Sequence, residues 1–257
     1  MSKYKTMAYM TVIAMLEILL VFSVSAYQQR GNKNNLSDVD NGTTIEIKDI
    51  EIIDEEVPMN DSPLDIMSLE DLFEKSLIIG DSRIISMYNR LHCEAGTFAF
   101  DAAVSSKNLK SKKLSSNKRI KGNAYSILDN NKNKYKKVYM SIGLNDVDNI
   151  SVVDYYKNIK RYISYVKSHQ SKCKVYICSI IYMSEDKAGK NNSMNKKIDK
   201  YNKQLKQIAI ELDAKYIDLN SKMKNSNKAI KKRYTIDGIN LNTEGCSIMG
   251  KILINNQ

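Results

Sequence analysis

The sequence predicts an α/β protein in three layers, with helices on both faces of a mainly parallel sheet of about five strands, preceded by an N-terminal transmembrane helix. Short apolar runs of strand length alternate with longer segments whose apolar residues recur at helical spacing. Strands that alternate with helices form βαβ units, whose parallel sheet is covered on both faces. The transmembrane helix is predicted from the almost wholly apolar stretch Met7–Ala26.

Met7–Ala26 has the length of one membrane crossing, which takes about 20 residues. Only Glu17 interrupts it and two lysines precede it, so residues 1–27 are predicted to be a cytoplasmic stub and anchor, with the rest of the chain outside the cytoplasm. The alternative is a signal peptide cleaved after Ala26, which would release the chain as a secreted protein. A buried core helix is a third interpretation, which the extreme N-terminal position disfavours.

The charge of the chain is divided along its length, although the formal net charge is +11. Residues 28–67 are polar, turn-rich and acidic, which predicts a flexible tether. Within this tether, Thr44–Ile53 is either a short strand or an extended linker. Residues 68–257 are expected to be the folded domain, and their strongly basic character favours anionic neighbours such as wall polymers. Export from the cytoplasm argues against nucleic acid as the partner.

The elements of the domain follow from the pattern of apolar residues. A short helix capped by Ser68 is expected to open the domain. Strands are predicted at Ser76–Gly80, Leu91–Ala95, Val138–Gly143, Val175–Ile180 and Tyr216–Leu219. Helices are predicted at Val152–Ser168, Met194–Leu212 and Thr243–Leu253, where apolar residues follow the helical period. Lys107–Lys121 is rich in lysine and serine and is interpreted as a solvated loop.

Polar residues follow several of these strands, at the sheet edge where parallel α/β proteins bind their ligands. Gly80, Asp81 and Ser82 follow the first strand. A serine at a helix N-terminus lies where backbone N–H groups and the helix dipole stabilise an oxyanion, although an isolated triplet of this kind would more simply be a helix cap. Gly96 can offer a backbone N–H, and Asn145 can donate its side-chain amide to an oxyanion.

Four short blocks, in this order and at this spacing, resemble the GDSL/SGNH hydrolase family. They are IIGDSR (Ile78–Arg83), EAGTF (Glu94–Phe98), SIGLNDV (Ser141–Val147) and DGINL (Asp237–Leu241). The resemblance covers roughly residues 68–257 and implies a flavodoxin-like fold and a serine ester hydrolase. It implies Ser82 as the nucleophile and Asp237 as the acid of the DxxH block. It further implies that Ser82, Gly96 and Asn145 form the oxyanion hole.

The sequence departs from the family at the general base. The family places a histidine three residues after the aspartate, and Asn240 stands there in this chain. A neutral amide cannot take a proton from Ser82 near neutral pH, whereas imidazole, with a pKa of about 6.5, can. The two histidines of the chain, His92 and His169, are predicted to lie away from the carboxyl edge of the sheet.

Two functions of different class therefore remain open. The first is an extracytoplasmic, membrane-anchored serine esterase, acylhydrolase or deacetylase of a surface polysaccharide or lipid, with its activity weakened or lost at Asn240. The second is a non-catalytic binding or scaffold module of the cell envelope with the same fold. No cofactor or metal is expected, because the chain has no Gly-rich phosphate loop and its four cysteines lack paired CxxC spacing.

Overall fold

The computed structural model describes residues 63–257. The predicted membrane segment Met7–Ala26 and the tether up to residue 62 lie outside the described residues. The helices are α1 Ile66–Phe73, α2 Ser82–Leu91, α3 Ala124–Asp129, α4 Val152–His169, α5 Ser193–Glu211, α6 Asn220–Met223 and α7 Thr243–Asn255, with 3₁₀ turns at Lys190–Asn192 and Lys232–Tyr234. The strands are β1 Ser76–Gly80, β2 Thr97–Phe100, β3 Ser115–Ser116, β4 Lys137–Ser141, β5 Lys174–Cys178 and β6 Lys215–Ile217.

Within residues 63–257, no helix is long and apolar enough to cross a bilayer.

The described strands form one sheet in the order β3-β2-β1-β4-β5-β6. All neighbours pair in parallel except β3, which runs antiparallel to β2. Without β3 this is the 2-1-3-4-5 order of flavodoxin-like sheets, and the strand order reverses between β1 and β4. In open sheets of this type the ligand crevice opens at the carboxyl ends of the two strands that flank the reversal.

Each parallel strand of the sheet sends alternate side chains into two separate cores. Leu77 and Ile79 of β1 face the core under α3, α4 and α5. Ile78 faces the other way, into the core under α1, α2, α6 and α7. All three side chains are buried. Successive residues that face opposite cores are typical of a strand covered on both faces. The predicted three-layer α/β/α architecture is therefore confirmed.

The sheet differs from the sequence prediction in one strand position and in strand number. The second strand is Thr97–Phe100 rather than Leu91–Ala95, because α2 continues to Leu91 and ends where His92 adopts a left-handed conformation with φ of 51°. A sixth strand, Ser115–Ser116, lies within the segment that the sequence analysis interpreted as a solvated loop. Two serines have no apolar pattern from which a strand could be predicted.

The first helix also begins differently from the prediction. Asp65, not Ser68, caps α1, accepting the backbone N–H of Met67 at 3.0 Å and the hydroxyl of Ser68 at 2.6 Å. An aspartate one turn earlier satisfies the free N–H groups of the first turn, which is where capping side chains act.

Candidate active site

The edge of the sheet at the strand reversal is built by the ends of β1 and β4, which pair Gly80 with Ser141. A Cβ at Gly80 would lie 2.9 Å from the Ser141 carbonyl oxygen and 2.1 Å from Cγ1 of Ile84. Only glycine therefore lets the chain turn from β1 into α2 at this point. The turn places Ser82 directly at the carboxyl edge.

Ser82 is the first residue of α2, and Asp81 caps the helix by accepting the Arg83 N–H at 3.1 Å. Asp81 thus takes the capping role, which leaves Ser82 free of it. Within residues 63–257 neither the hydroxyl nor the backbone N–H of Ser82 has a hydrogen-bond partner. A half-buried hydroxyl at a helix N-terminus is suited to nucleophilic attack, because the free N–H groups there stabilise developing negative charge.

Asn145 lies in the loop after β4, and its amide is committed to the loop that follows β2. Its Nδ2 donates to the carbonyl oxygens of Ala102 and Val104, each at 2.8 Å. Two acceptors match the two hydrogens of the amide. In this conformation Asn145 joins two loops of the carboxyl edge, and donation to an oxyanion requires one of these bonds to yield or to be shared.

Gly96 does not lie at this edge, contrary to the role expected for it. It precedes β2, whose first residue Thr97 pairs with Leu77, so it lies at the amino end of the sheet. Its lack of a side chain has a packing reason, since a Cβ would lie 2.7 Å from Cδ1 of Ile78 and 3.1 Å from Cβ of Phe73. Gly96 is therefore a packing residue beside α1.

Ala102 is the residue at the carboxyl end of β2 that the sequence analysis missed. The preceding residue, Asp101, donates its N–H to the Gly80 carbonyl, which fixes this loop against the end of β1. Among the described residues the N–H of Ala102 has no partner. Ala102 could have been identified from the sequence by the largely apolar run Thr97–Phe100, because this run shows where the strand ends.

Asp237 and Asn240 form a closed pair within one tight loop. Asp237 Oδ1 accepts the N–H groups of Ile239 at 2.9 Å and Asn240 at 2.7 Å, and its Oδ2 accepts Asn240 Nδ2 at 2.7 Å. Asn240 thus donates to the carboxylate as an imidazole N–H would, and its Oδ1 has no donor among residues 63–257. Thr235 braces the loop by accepting the Gly238 N–H at 2.9 Å.

Arg83 connects this loop to the helix that carries Ser82. Its Nε donates to the Ile239 carbonyl at 3.2 Å, and its Nη1 and Nη2 donate to the carbonyls of Ile181 at 2.7 Å and Tyr182 at 3.4 Å. The side chain is 2 % exposed. Burial lowers the pKa of Arg83 to about 10, which the negative charges of Asp81 and Asp237 oppose. This arginine places the Asp237–Asn240 pair beside the N-terminus of α2.

Neither histidine lies at the carboxyl edge, as expected from the sequence. His92 ends α2 rather than starting a strand. His169 is the last residue of α4 and stacks on Tyr165, with Nε2 lying 3.3 Å from Asp129 Oδ1. Both residues precede parallel strands and therefore lie toward the amino end of the sheet.

Asp146 beside Asn145 is a buried carboxylate held by Ser106. It accepts the Ser106 hydroxyl at 2.7 Å and the Ser106 N–H at 2.9 Å. Burial raises the pKa of Asp146 to about 6, although the hydrogen bonds from Ser106 oppose that shift. Folding therefore shifts Asp146 toward its protonated form relative to the unfolded chain.

The raised pKa of Asp146 predicts a pH dependence of stability. Its contribution should be fully present below the unfolded pKa of about 4 and lost as the pH rises through about 6. Between pH 4 and 7, the free energy of unfolding of the wild-type chain should fall by about 2 kcal/mol relative to Asp146→Asn. Urea unfolding at several pH values measures this difference. Parallel pH profiles for the two proteins would show that folding does not raise the pKa of Asp146.

Residues 80–248 match the model of the GDSL-like Lipase/Acylhydrolase family. No curated relative matches the chain.

Two solved structures illustrate the likeness in fold. A GDSL-like lipase from Bacteroides thetaiotaomicron is 15% identical with a TM-score of 0.55, and the match covers 72% of this chain and 88% of that one. A catalytic mutant of an acetylxylan esterase from Geobacillus stearothermophilus is 15% identical with a TM-score of 0.51, and covers 71% of this chain and 93% of that one. At this identity the similarity shows the fold alone.

Proposed function

The chain belongs to the GDSL-like lipase/acylhydrolase family, and on this premise we propose that it is an extracytoplasmic, membrane-anchored serine ester hydrolase with weak activity. Its substrate is an acyl or acetyl ester on a surface polysaccharide or lipid. The observation that carries the proposal is the Ser82 hydroxyl, which has no hydrogen-bond partner within residues 63–257. It lies at the N-terminus of α2, at the sheet's reversal point and beside the Asp237–Asn240 loop.

The chemistry starts with attack of Ser82 Oγ on the ester carbonyl. The Oγ–carbon bond forms, and the negative charge that develops on the carbonyl oxygen is stabilised by the N–H groups of Ser82 and Ala102. Collapse of this intermediate breaks the ester C–O bond, and the alcohol leaves with the proton that the Ser82 hydroxyl has lost. Water then hydrolyses the Ser82 acyl ester and releases the acid, which restores the hydroxyl.

The slow step follows from Asn240. Its amide nitrogen donates to Asp237, so only its carbonyl oxygen can accept a hydrogen bond from Ser82. An amide oxygen orients the hydroxyl but does not remove its proton near neutral pH, so Ser82 attacks as a weakly nucleophilic alcohol. Loss of a triad base leaves about 10³–10⁴-fold catalysis over water from the rest of such a site.

The proposed location and the proposed substrate class are supported by observations other than the geometry of the site. Met7–Ala26 has the length and flanking charge of a membrane anchor, with the domain outside. One structural neighbour is by name an esterase of acetylated xylan, which supports an acetylated polysaccharide as the substrate class.

The test is an ester-hydrolysis assay of the full chain on a panel of acetyl and short acyl esters. Slow turnover is expected in the wild-type protein, and Ser82→Ala should abolish it. Ser86→Ala is the matched control, since it removes a half-buried hydroxyl one turn further along α2. Equal rates for the wild-type protein and Ser82→Ala would contradict the proposal.

The alternative function is a non-catalytic envelope binding or scaffold module. The closed Asp237–Asn240 pair favours it, because each carboxylate oxygen already has a donor without an imidazole. Binding of an acetylated polysaccharide by the wild-type protein without its hydrolysis would favour this function over the hydrolase.

A further inference from the structure

Seven cationic side chains lie between Lys107 and Lys121, and no acidic residue occurs from residue 102 to residue 128. We call the segment 107–121 the cationic loop. It leaves the carboxyl end of β2 and returns through β3, whose Ser115 pairs with Phe100 at that same end. The loop therefore starts at the edge that carries Ser82 and continues along the outer edge of the sheet.

A direct contact links the cationic loop to this edge. Lys112 Nζ lies 3.2 Å from Asp101 Oδ1. The backbone N–H of Asp101 donates to Gly80, two residues before Ser82. A polymer bound along the loop would thus pass close to the N-terminus of α2.

The backbone of the cationic loop is ordered rather than extended into solvent. Leu109 and Leu114 are buried in the core under α3 and α4. The Leu114 N–H donates to Gly122 at 2.8 Å, and Asn123 Nδ2 donates to the Lys110 carbonyl at 2.6 Å. An ordered backbone presents its charges in a fixed pattern, which lowers the entropy lost when a ligand binds.

Most of these charges are not balanced within the domain. Lys112 pairs with Asp101, Lys110 lies over the Tyr125 ring, and Lys118 donates to the Glu94 carbonyl. The other four side chains are exposed and have no partner among the described residues. These four are Lys107, Lys113, Arg119 and Lys121. Unpaired cations concentrated in one ordered segment attract anionic groups.

The apolar and aromatic side chains around the cationic loop indicate which class of anion it binds. Among residues 63–257 the exposed large hydrophobic side chains are Ile66, Met67, Ile210 and Ile236, so the loop has none to insert into a bilayer. The aromatic rings beside it are already engaged, since Lys110 covers Tyr125 and the ring of Phe100, which pairs with Ser115, packs against Tyr88. Stacking of unpaired bases, on which single-stranded nucleic acid binding depends, has no free platform here.

We infer that the cationic loop binds a linear polyanion, with phosphate or carboxylate groups along a non-aromatic backbone, and that this polymer carries the ester presented to Ser82. Binding itself does not depend on hydrolysis, and only the presentation of the ester rests on the proposed function. The substrate class then narrows from surface polymers in general to anionic ones.

The test compares two charge-matched variants of the full chain, each with four exposed cations changed to glutamine. One carries Lys107→Gln, Lys113→Gln, Arg119→Gln and Lys121→Gln. The control carries Lys190→Gln, Lys196→Gln, Lys200→Gln and Lys203→Gln, at and before α5, which packs on β5 and β6 at the far end of the strand order. The probes are polyphosphate, polygalacturonate, neutral dextran and single-stranded DNA, at about 0.1 M salt, where the screening length is about 10 Å.

The loop variant should bind polyphosphate or polygalacturonate at least tenfold more weakly than the wild-type protein, and the control should change less than threefold. Which of the two polymers binds more tightly distinguishes phosphate from carboxylate. Equal losses in both variants would overturn the inference, because the net charge alone would then explain binding. Tighter binding of DNA than of either polymer would assign the surface to nucleic acid. Measuring binding in Ser82→Ala as well separates this result from failure of the proposed hydrolysis.

Discussion

Asn240→His is expected to raise ester hydrolysis at least tenfold, which corresponds to about 1.4 kcal/mol of activation free energy. The carboxylate that would orient the imidazole is already in place, since two backbone N–H groups fix Asp237 Oδ1. Its Oδ2 accepts a donor from position 240 at 2.7 Å. An imidazole N–H can take over that bond and leave the second ring nitrogen as the base for Ser82. The measurement is kcat/KM on short acyl and acetyl esters.

Control variants show whether a gain from Asn240→His comes from a base supplied to Ser82. Adding Ser82→Ala should remove the gain, and Asn240→Gln, which changes the side chain without supplying a base, should give none. Fast turnover by the wild-type protein that is lost on His92→Ala or His169→Ala would mean that the base lies elsewhere. No gain from Asn240→His on the whole ester panel would favour the binding module.

The strands with clear apolar runs could be predicted from the sequence almost to their ends. β1 is the predicted Ser76–Gly80, and β4 and β5 begin one residue before their predicted starts. Because the site residues follow such strands, Ser82 and Asn145 could be located without the structure. Their position depends on strand order, which the alternation of helices and strands restricts to few arrangements.

Gly96 shows where local pattern fails. Its block matched a family motif over five residues, but Leu91 belongs to α2 and the strand begins only after Gly96, at Thr97. Hydrogen-bond partners are equally hidden from the sequence. Nothing near Asn145 in the chain shows that its amide binds the carbonyls of Ala102 and Val104, more than 40 residues away.

Arg83 was the least predictable feature, since an arginine in an amphipathic helix ordinarily faces solvent. Replacing it by methionine is expected to lower the free energy of unfolding by about 3–5 kcal/mol, because three carbonyls lose their donor and the buried Asp81 carboxyl loses the positive charge beside it. Burial already raises the pKa of the neighbouring Asp81, and Arg83 opposes that shift. Urea titration of the full chain, followed by the near-ultraviolet circular dichroism of its tyrosines, measures the loss.

Two companion variants identify the cause. Asp81→Asn added to Arg83→Met should recover part of the loss, because no unpaired buried charge then remains. Arg119→Met removes an exposed arginine and should change stability by less than about 0.5 kcal/mol. A cost of Arg83→Met no larger than that of Arg119→Met would contradict the structure.

Arg83→Lys should separate the stabilising role of this residue from its positioning role. Lysine keeps the buried charge but cannot reach the carbonyls of Ile239, Ile181 and Tyr182 with the planar fork of a guanidinium. The domain should therefore fold, while the Asp237 loop shifts relative to Ser82. Because a misplacement of about 1 Å can reduce a rate about a hundredfold, the gain from Asn240→His should be lost in kcat when Arg83→Lys is added, with KM little changed. An undiminished gain would show that the loop keeps its place without Arg83.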